Sequence, residues 1–84
     1  SYEPNNHYIL DSMGWIHFKL GNLEIASKFI KKAYLINKDP EIASHLGEIL
    51  WTQGKKDEAR EVWKSSLNRH PSNPVLLETT NRFK

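Results

Sequence analysis

Eighty-four residues make one small domain, able to withdraw only about 60% of the unfolded chain's surface from water, and leave no room for a second, catalytic domain. Twelve lysines and arginines against ten aspartates and glutamates leave a net charge of +2, too slight an excess to point to nucleic acid or an anionic membrane. The lack of cysteine excludes disulfides and thiolate metal sites, and nothing in these residues reads as a transmembrane span, a signal peptide or a lipidation motif.

The chain opens Ser1-Tyr2-Glu3-Pro4 without an initiator Met, and is expected to be a segment of a longer protein. From His7 to Leu20 the apolar set Ile9, Leu10, Met13, Ile16, His17 and Leu20 recurs at threes and fours, which predicts a first helix with that face buried. Gly21-Asn22 ends it, because both residues tolerate the left-handed conformation of a helix terminus. A second helix is predicted from Leu23 to about Asn37. It would bury Leu23, Ala26, Phe29, Ile30, Ala33 and Ile36 and wet Glu24, Lys28, Lys31, Lys32 and Lys38.

Pro40 suits a first helical turn with Asp39 as its N-cap, and Ile42, Ala43, Leu46, Ile49 and Leu50 form the stripe of a third helix that Gln53-Gly54 ends. A fourth runs from Lys56 to Arg69 with Ala59, Val62, Trp63, Ser66 and Leu67 inward, until His70-Pro71 stops it. Asn73-Pro74 restarts a fifth carrying Leu76, Leu77, Thr80 and Phe83. With no strand-like alternation, the fold class is all-α.

These elements repeat. "GWIHFKLGNLEIA" from Gly14 and "GEILWTQGKKDEA" from Gly47 align Gly14 with Gly47, Gly21 with Gly54 and Ala26 with Ala59, each 33 residues apart, while Asp39/Asn73 and Pro40/Pro74 are 34 apart. A period near 34 made of two helices marks a helical hairpin that must stack on a neighbour to bury its apolar face. The predicted organisation is a single domain over residues 1–84, with repeats at 7–37 and 40–69 and a capping helix at 74–83. Gly14 and Gly47 are expected where the first helix of each pair crosses the second, facing Ala26 and Ala59. Overpacking such a crossing costs about 1 to 3 kcal/mol.

The residues resemble the tetratricopeptide repeat, whose pattern is an apolar or aromatic residue, Leu-Gly, Tyr three on, then Ala, Phe four beyond it, and a closing Pro. The first unit answers with Leu10, Met13-Gly14, His17, Ala26, Ile30 and Ala33. The second answers with Ala43, Leu46-Gly47, Leu50, Ala59, Trp63, Ser66 and Pro71, and Pro4 stands where a preceding repeat would close. Neither unit opens with Trp or carries the Tyr, and Lys38 takes the first unit's closing-Pro place.

The resemblance implies antiparallel helix-turn-helix repeats in a right-handed superhelix, two hairpins and a C-terminal capping helix, acting as a non-enzymatic module that binds a protein or peptide partner without a cofactor. "LDSMGW", "DPEIASHLGEILW" and "GxxDEAxxxW" are further similar to the last repeats of multi-repeat proteobacterial scaffold proteins, some of them exported lipoproteins. That similarity implies the end of an array, and the periplasm or outer membrane over the cytoplasm.

By the same resemblance a concave groove is lined by Tyr8, Asp11, Ser12, Trp15, Phe18 and Lys19, by Glu41, Ser44, His45, Glu48, Trp51 and Thr52, and by Glu78, Thr79 and Arg82 on the cap. Trp51 and Phe18 are expected as the interface anchors, with packing between adjacent helices as the alternative; Trp15, a residue type more often largely buried, is expected to pack rather than to bind, and Trp63 holds the family's core aromatic place. Asp11 and Glu48 stand where repeats that grip acidic chaperone tails need cations, so a basic or neutral segment with an apolar anchor fits better.

His7, His17, His45 and His70 include no pair at metal-ligand spacing, and His17, at the family's Tyr place, is expected to be a hydrogen-bonded core residue. The lysines of the second helix and Lys55, Lys56, Arg60 and Lys64 of the fourth are interleaved with Glu24, Asp57, Glu58 and Glu61 and lack stacking aromatics, which reads as a solvated face rather than an RNA platform. A structural role, capping the array or self-associating into a homo-oligomer, is the alternative to partner binding.

Overall fold

The computed structural model describes residues 6–83, which form five helices and no strand: α1 (His7–Lys19), α2 (Leu23–Ile36), α3 (Pro40–Thr52), α4 (Lys56–Arg69) and α5 (Pro74–Arg82). The readings that rest on Ser1 to Pro4, the segment-like opening and the closing Pro of a preceding repeat, lie outside these residues.

Local chemistry sets each boundary. Asn6, Asp39 and Asn73 accept hydrogen bonds from the first-turn amides of α1, α3 and α5, so their side chains take up donors that have no intrahelical partner. Pro40 and Pro74 follow two of these caps, where a missing amide hydrogen costs nothing.

α1 and α3 end alike. Gly21 and Gly54 both adopt φ +85°, and their amides reach back to the carbonyls of Phe18 and Trp51. The next amides, of Asn22 and Lys55, reach His17 and Leu50 at 2.8 and 2.9 Å. Each turn is a Schellman closure that only a residue without Cβ enters without strain, and it folds the chain back within three residues.

α1 packs on α2 and α3 on α4, α2 joins the pairs by packing on α3, and α5 lies across α3 and α4. The core runs through all five helices as Leu10, Ala26, Ile30, Ala33, Ile42, Ala43, Leu46, Ile49, Leu50, Ala59, Trp63 and Leu76. The two crossings are as tight as expected, although side chains rather than the facing alanines fill them. A Cβ on Gly14 would come within 2.5 Å of Ile30 Cγ1, 2.7 Å of its Cδ1 and 3.2 Å of the Ala26 carbonyl, and one on Gly47 would overlap the Trp63 indole outright. The indole has nowhere to retreat, because its Nε1 donates to the Ser44 carbonyl at 3.3 Å.

Several residues expected in the core lie outside it. Ile16 and Leu20 are 59% and 69% exposed and Ile9 is exposed too, although Ile49, the counterpart of Ile16, is 0% exposed. α3 has α2 on one flank and α4 on the other; α1 has α2 and only slight contact with α3, so no helix stands against its outer stripe. Ile36 and Leu77 are likewise exposed, while Thr79 is buried. His17 is half-buried at the end of α1, stacked 5.7 Å from Phe29 with its Nδ1 3.2 Å from Asn22 Nδ2, so it belongs to the turn more than to the core.

The two glycine crossings make different demands. Gly47→Ala should lower the unfolding free energy by about 2 to 3 kcal/mol and Gly14→Ala by about 1 to 2 kcal/mol, since the Ile30 side chain can shift more easily than a larger, hydrogen-bonded indole that the new methyl would overlap. Urea unfolding followed by circular dichroism measures both, and equal losses would contradict the stated cause.

Candidate partner-binding cleft

Counting repeat positions forward by 33 and then 34 residues places Trp15, Glu48 and Arg82 at one register of α1, α3 and α5, and Asp11, Ser44 and Glu78 at another. Side chains at the same or the next register reach across to the next helix. Asp11 Oδ1 accepts from His45 Nδ1 at 2.8 Å, the Ser44 and Thr79 hydroxyls bond at 2.6 Å, and Arg82 donates to Glu48 Oε1 at 3.2 Å. The row of first helices is therefore laced by one polar contact after another.

Above this lacing lies a cleft of about 370 Å3, lined by Trp15, Ser44, His45, Glu48, Pro74, Val75, Glu78, Thr79 and Arg82. Its aromatic end is built on Trp15, whose ring lies 4.0 Å from the His45 ring and 4.9 Å from Phe18, with Lys19 Nζ 5.1 Å from its centre. A large aromatic fixed by stacking presents area to a ligand at little further entropic cost. The other end is charged. Arg82 donates to Glu78 Oε2 at 2.8 Å as well as to Glu48, and the Glu78 hydrogen bond first, then the charge of Glu48, hold its pKa above the ordinary guanidinium value against the opposing effect of burial.

The expected groove residues divide. Trp15, His45 and Glu48 line the cleft, joined from the cap by Glu78, Thr79 and Arg82. Asp11 stands beneath it, bonded to His45, and Phe18 and Lys19 support Trp15. Ser44 contributes only an edge, being buried between α3 and α5 against Thr79. Tyr8 is exposed on the first turn of α1 beside the His7 ring.

Trp51 lies elsewhere. It packs 5.9 Å from Trp63 and 5.6 Å from Phe83, and Lys56 and Arg60 cover its outer face. Of the two readings open for this residue, packing between helices describes its position. Trp63 is core, as its place in the pattern implied.

Two wall residues, Pro74 and Val75, were not anticipated, though the offset of 34 that carries Pro40 to Pro74 also carries the groove position Glu41 to Val75. The expected basic face of α2 and α4 is solvated and mixed with carboxylates, and Arg60 pairs with Asp57 at 3.1 Å. Among the described residues no group of three or more His, Asp or Glu is placed to hold a metal ion, and no helix is long and apolar enough to cross a membrane.

Stacked helical hairpins, glycine crossings and a cleft formed by the first helix of each pair define a helical-repeat protein. Comparison with known proteins agrees: the family described as tetratricopeptide repeat matches residues 8–40. A tetratricopeptide-repeat-containing protein of Pseudomonas aeruginosa is 44% identical over 45 residues, 54% of this chain and 8% of that protein. The Arabidopsis thaliana protein SULFUR DEFICIENCY-INDUCED 2 is 37% identical over 60 residues, 71% of this chain and 20% of its own length. A tetratricopeptide-repeat-containing protein of Methanocaldococcus jannaschii is 35% identical over 63 residues, 75% of this chain and 11% of that protein.

The chain belongs to the tetratricopeptide repeat family. Repeats of this family are in general protein–protein interaction modules and are typically non-catalytic. The chain spans a fifth or less of the length of the relatives it matches.

The two tryptophans of the first helices should separate by role. Trp51→Ala should cost about 3 kcal/mol of stability, as truncation of packed aromatics does, whereas Trp15→Ala should cost about 1 kcal/mol, the scale of an aromatic pair. Thermal unfolding of the two variants, with both checked for retained helix, tests the assignment.

Proposed function

We propose that this chain is a non-enzymatic interaction module that holds a partner peptide or helix in the cleft between α1, α3 and α5, within a longer scaffold built of such repeats. The observation that carries this reading is the cleft itself, in which the apolar Trp15, Pro74 and Val75 share the lining with the carboxylates of Glu48 and Glu78. A segment with an apolar anchor and a basic or neutral flank matches those surfaces, since two carboxylates share the single cation Arg82; an acidic one meets the remaining negative charge. Trp15 is the principal anchor, with Phe18 and Lys19 behind it and the His45–Asp11 pair fixing its stacking partner. The exposed Tyr8, the buried Ser44 and the half-buried Trp51 serve the shape of the groove more than contact with a ligand.

A second reading draws on a separate observation, the exposed stripe Ile9, Ile16 and Leu20 of α1. In the chain's own α3, the residues 33 positions later are Ile42 and Ile49, buried in the core, and Gln53, half-buried. The stripe is therefore shaped for a helix stacked as α2 is stacked on α3, supplied either by a further repeat or by a second copy.

Pull-down from the source cell's extract with wild type, Trp15→Ala and Lys64→Ala tests the first reading. Partners held by wild type and Lys64→Ala but released by a folded Trp15→Ala are the expected result, and equal capture by all three would refute it. For the second, sedimentation of the wild type should show concentration-dependent association that Ile16→Glu with Leu20→Glu abolishes. A wild type that stays monomeric up to millimolar concentration would remove self-association from consideration.

A further inference from the structure

The charged end of the cleft is already occupied. Arg82 crosses from α5 to donate to Glu48 Oε1 at 3.2 Å and to Glu78 Oε2 at 2.8 Å, so two carboxylates converge on one guanidinium. The partners differ in freedom. Glu48 stands mid-way along α3 with its side chain 13% exposed, whereas Arg82 is in the last turn of the last helix with its side chain 50% exposed. A shielded carboxylate left without a cation is costly, so Glu48 needs a positive partner whenever the cleft is closed to water. An arginine at a helix end regains full hydration by a rotamer change, so Arg82 is the member that leaves.

Neither wall competes for the guanidinium. Pro74 and Val75 are apolar, and the Ser44 and Thr79 hydroxyls satisfy each other. Lys19 is held over the Trp15 ring at the far end. The carboxylate pair, flanked by an apolar shelf, is thus complementary to an arginine whose neighbour in sequence is apolar.

We propose that Arg82 is an internal stand-in for a ligand guanidinium: the partner segment carries an arginine that displaces Arg82 from Glu48 and Glu78 while an adjacent apolar side chain rests on Trp15, Pro74 and Val75. This assignment rests on the cleft being the working site. Free protein is self-blocked at that end, and the arginine of the partner competes with the chain's own. The planar guanidinium takes two carboxylates at once in a geometry that a lysine ammonium does not reproduce.

The probe is acetyl-Leu-Arg-Leu-amide, with acetyl-Leu-citrulline-Leu-amide as the uncharged analogue of equal shape, titrated into the isotope-labelled chain while the Trp15 indole, Val75 methyl and Arg82 Nε–H signals are followed. In the wild type the arginine peptide should shift Trp15 and Val75 and move the Arg82 signal toward that of free arginine, and the citrulline peptide should do neither. Arg82→Gln, which keeps a polar side chain at the helix end, should bind the arginine peptide about tenfold tighter. Adding Glu48→Gln should remove that gain. Circular dichroism confirms that each variant keeps its helices.

If the peptide moves Trp15 and Val75 equally in wild type and Arg82→Gln, or if citrulline binds as well as arginine, the stand-in role is refuted while the cleft reading survives. If neither protein shows any shift at Trp15 or Val75, both are refuted.

Discussion

The arrangement hangs on the missing Cβ at Gly47. Its absence lets the Trp63 indole lie against the backbone of α3, where a methyl group would overlap the ring. Once there, the indole donates to the Ser44 carbonyl and stacks near Trp51 and Phe83, so one residue ties α4 to α3 and meets the chain just beyond α5. Gly14 makes the same opening for Ile30 in the first pair, with a more pliable occupant. Because protein interiors are packed at crystal-like density, an approach this close sets the crossing of the helices and hence the direction of everything attached to them.

That direction brings the first helices into a row. Their groove-facing registers are about one helix spacing apart, close enough for side chains 34 or 35 residues distant in sequence to bond: Asp11 to His45, Ser44 to Thr79, Glu48 to Arg82. The buried hydroxyl pair is the most protected of the three and locates α5 on α3; the His45–Asp11 hydrogen bond and the Arg82–Glu48 pair are less deeply buried and add orientation more than stability. The cleft owes its shape to packing and its chemistry to the residues above the lacing.

The same register serves three ends in three units. Trp15 offers area, Glu48 a shielded negative charge and Arg82 a half-exposed positive one, although all three occupy one position of the repeat. Such division is available to repeat proteins because the packing positions, glycine, alanine and the apolar stripe, carry the fold and leave the groove positions free to vary. An apolar shelf beside a carboxylate pair is what that freedom has produced here.

Features that depend on a few neighbouring residues could be read directly. The five helices, the glycine turns, the Asp39-Pro40 and Asn73-Pro74 starts and the core place of Trp63 follow from capping, from φ restrictions and from apolar spacing, which act within a turn or two of chain. The 33- and 34-residue offsets added the hairpin repeat, since an apolar face recurring at that period has to stack. What depends on which helix stands next to which was decided only in the tertiary structure. Ile16 and Ile49 occupy one repeat position, yet one is exposed and the other buried because α3 has a helix on each flank and α1 lacks one. Trp15 and Trp51 both lie on first helices, yet one faces a cleft and the other a core aromatic cluster. Periodicity assigns a residue to a face of its helix; burial and access come from the neighbour across that face, which is distant in sequence and leaves no local mark.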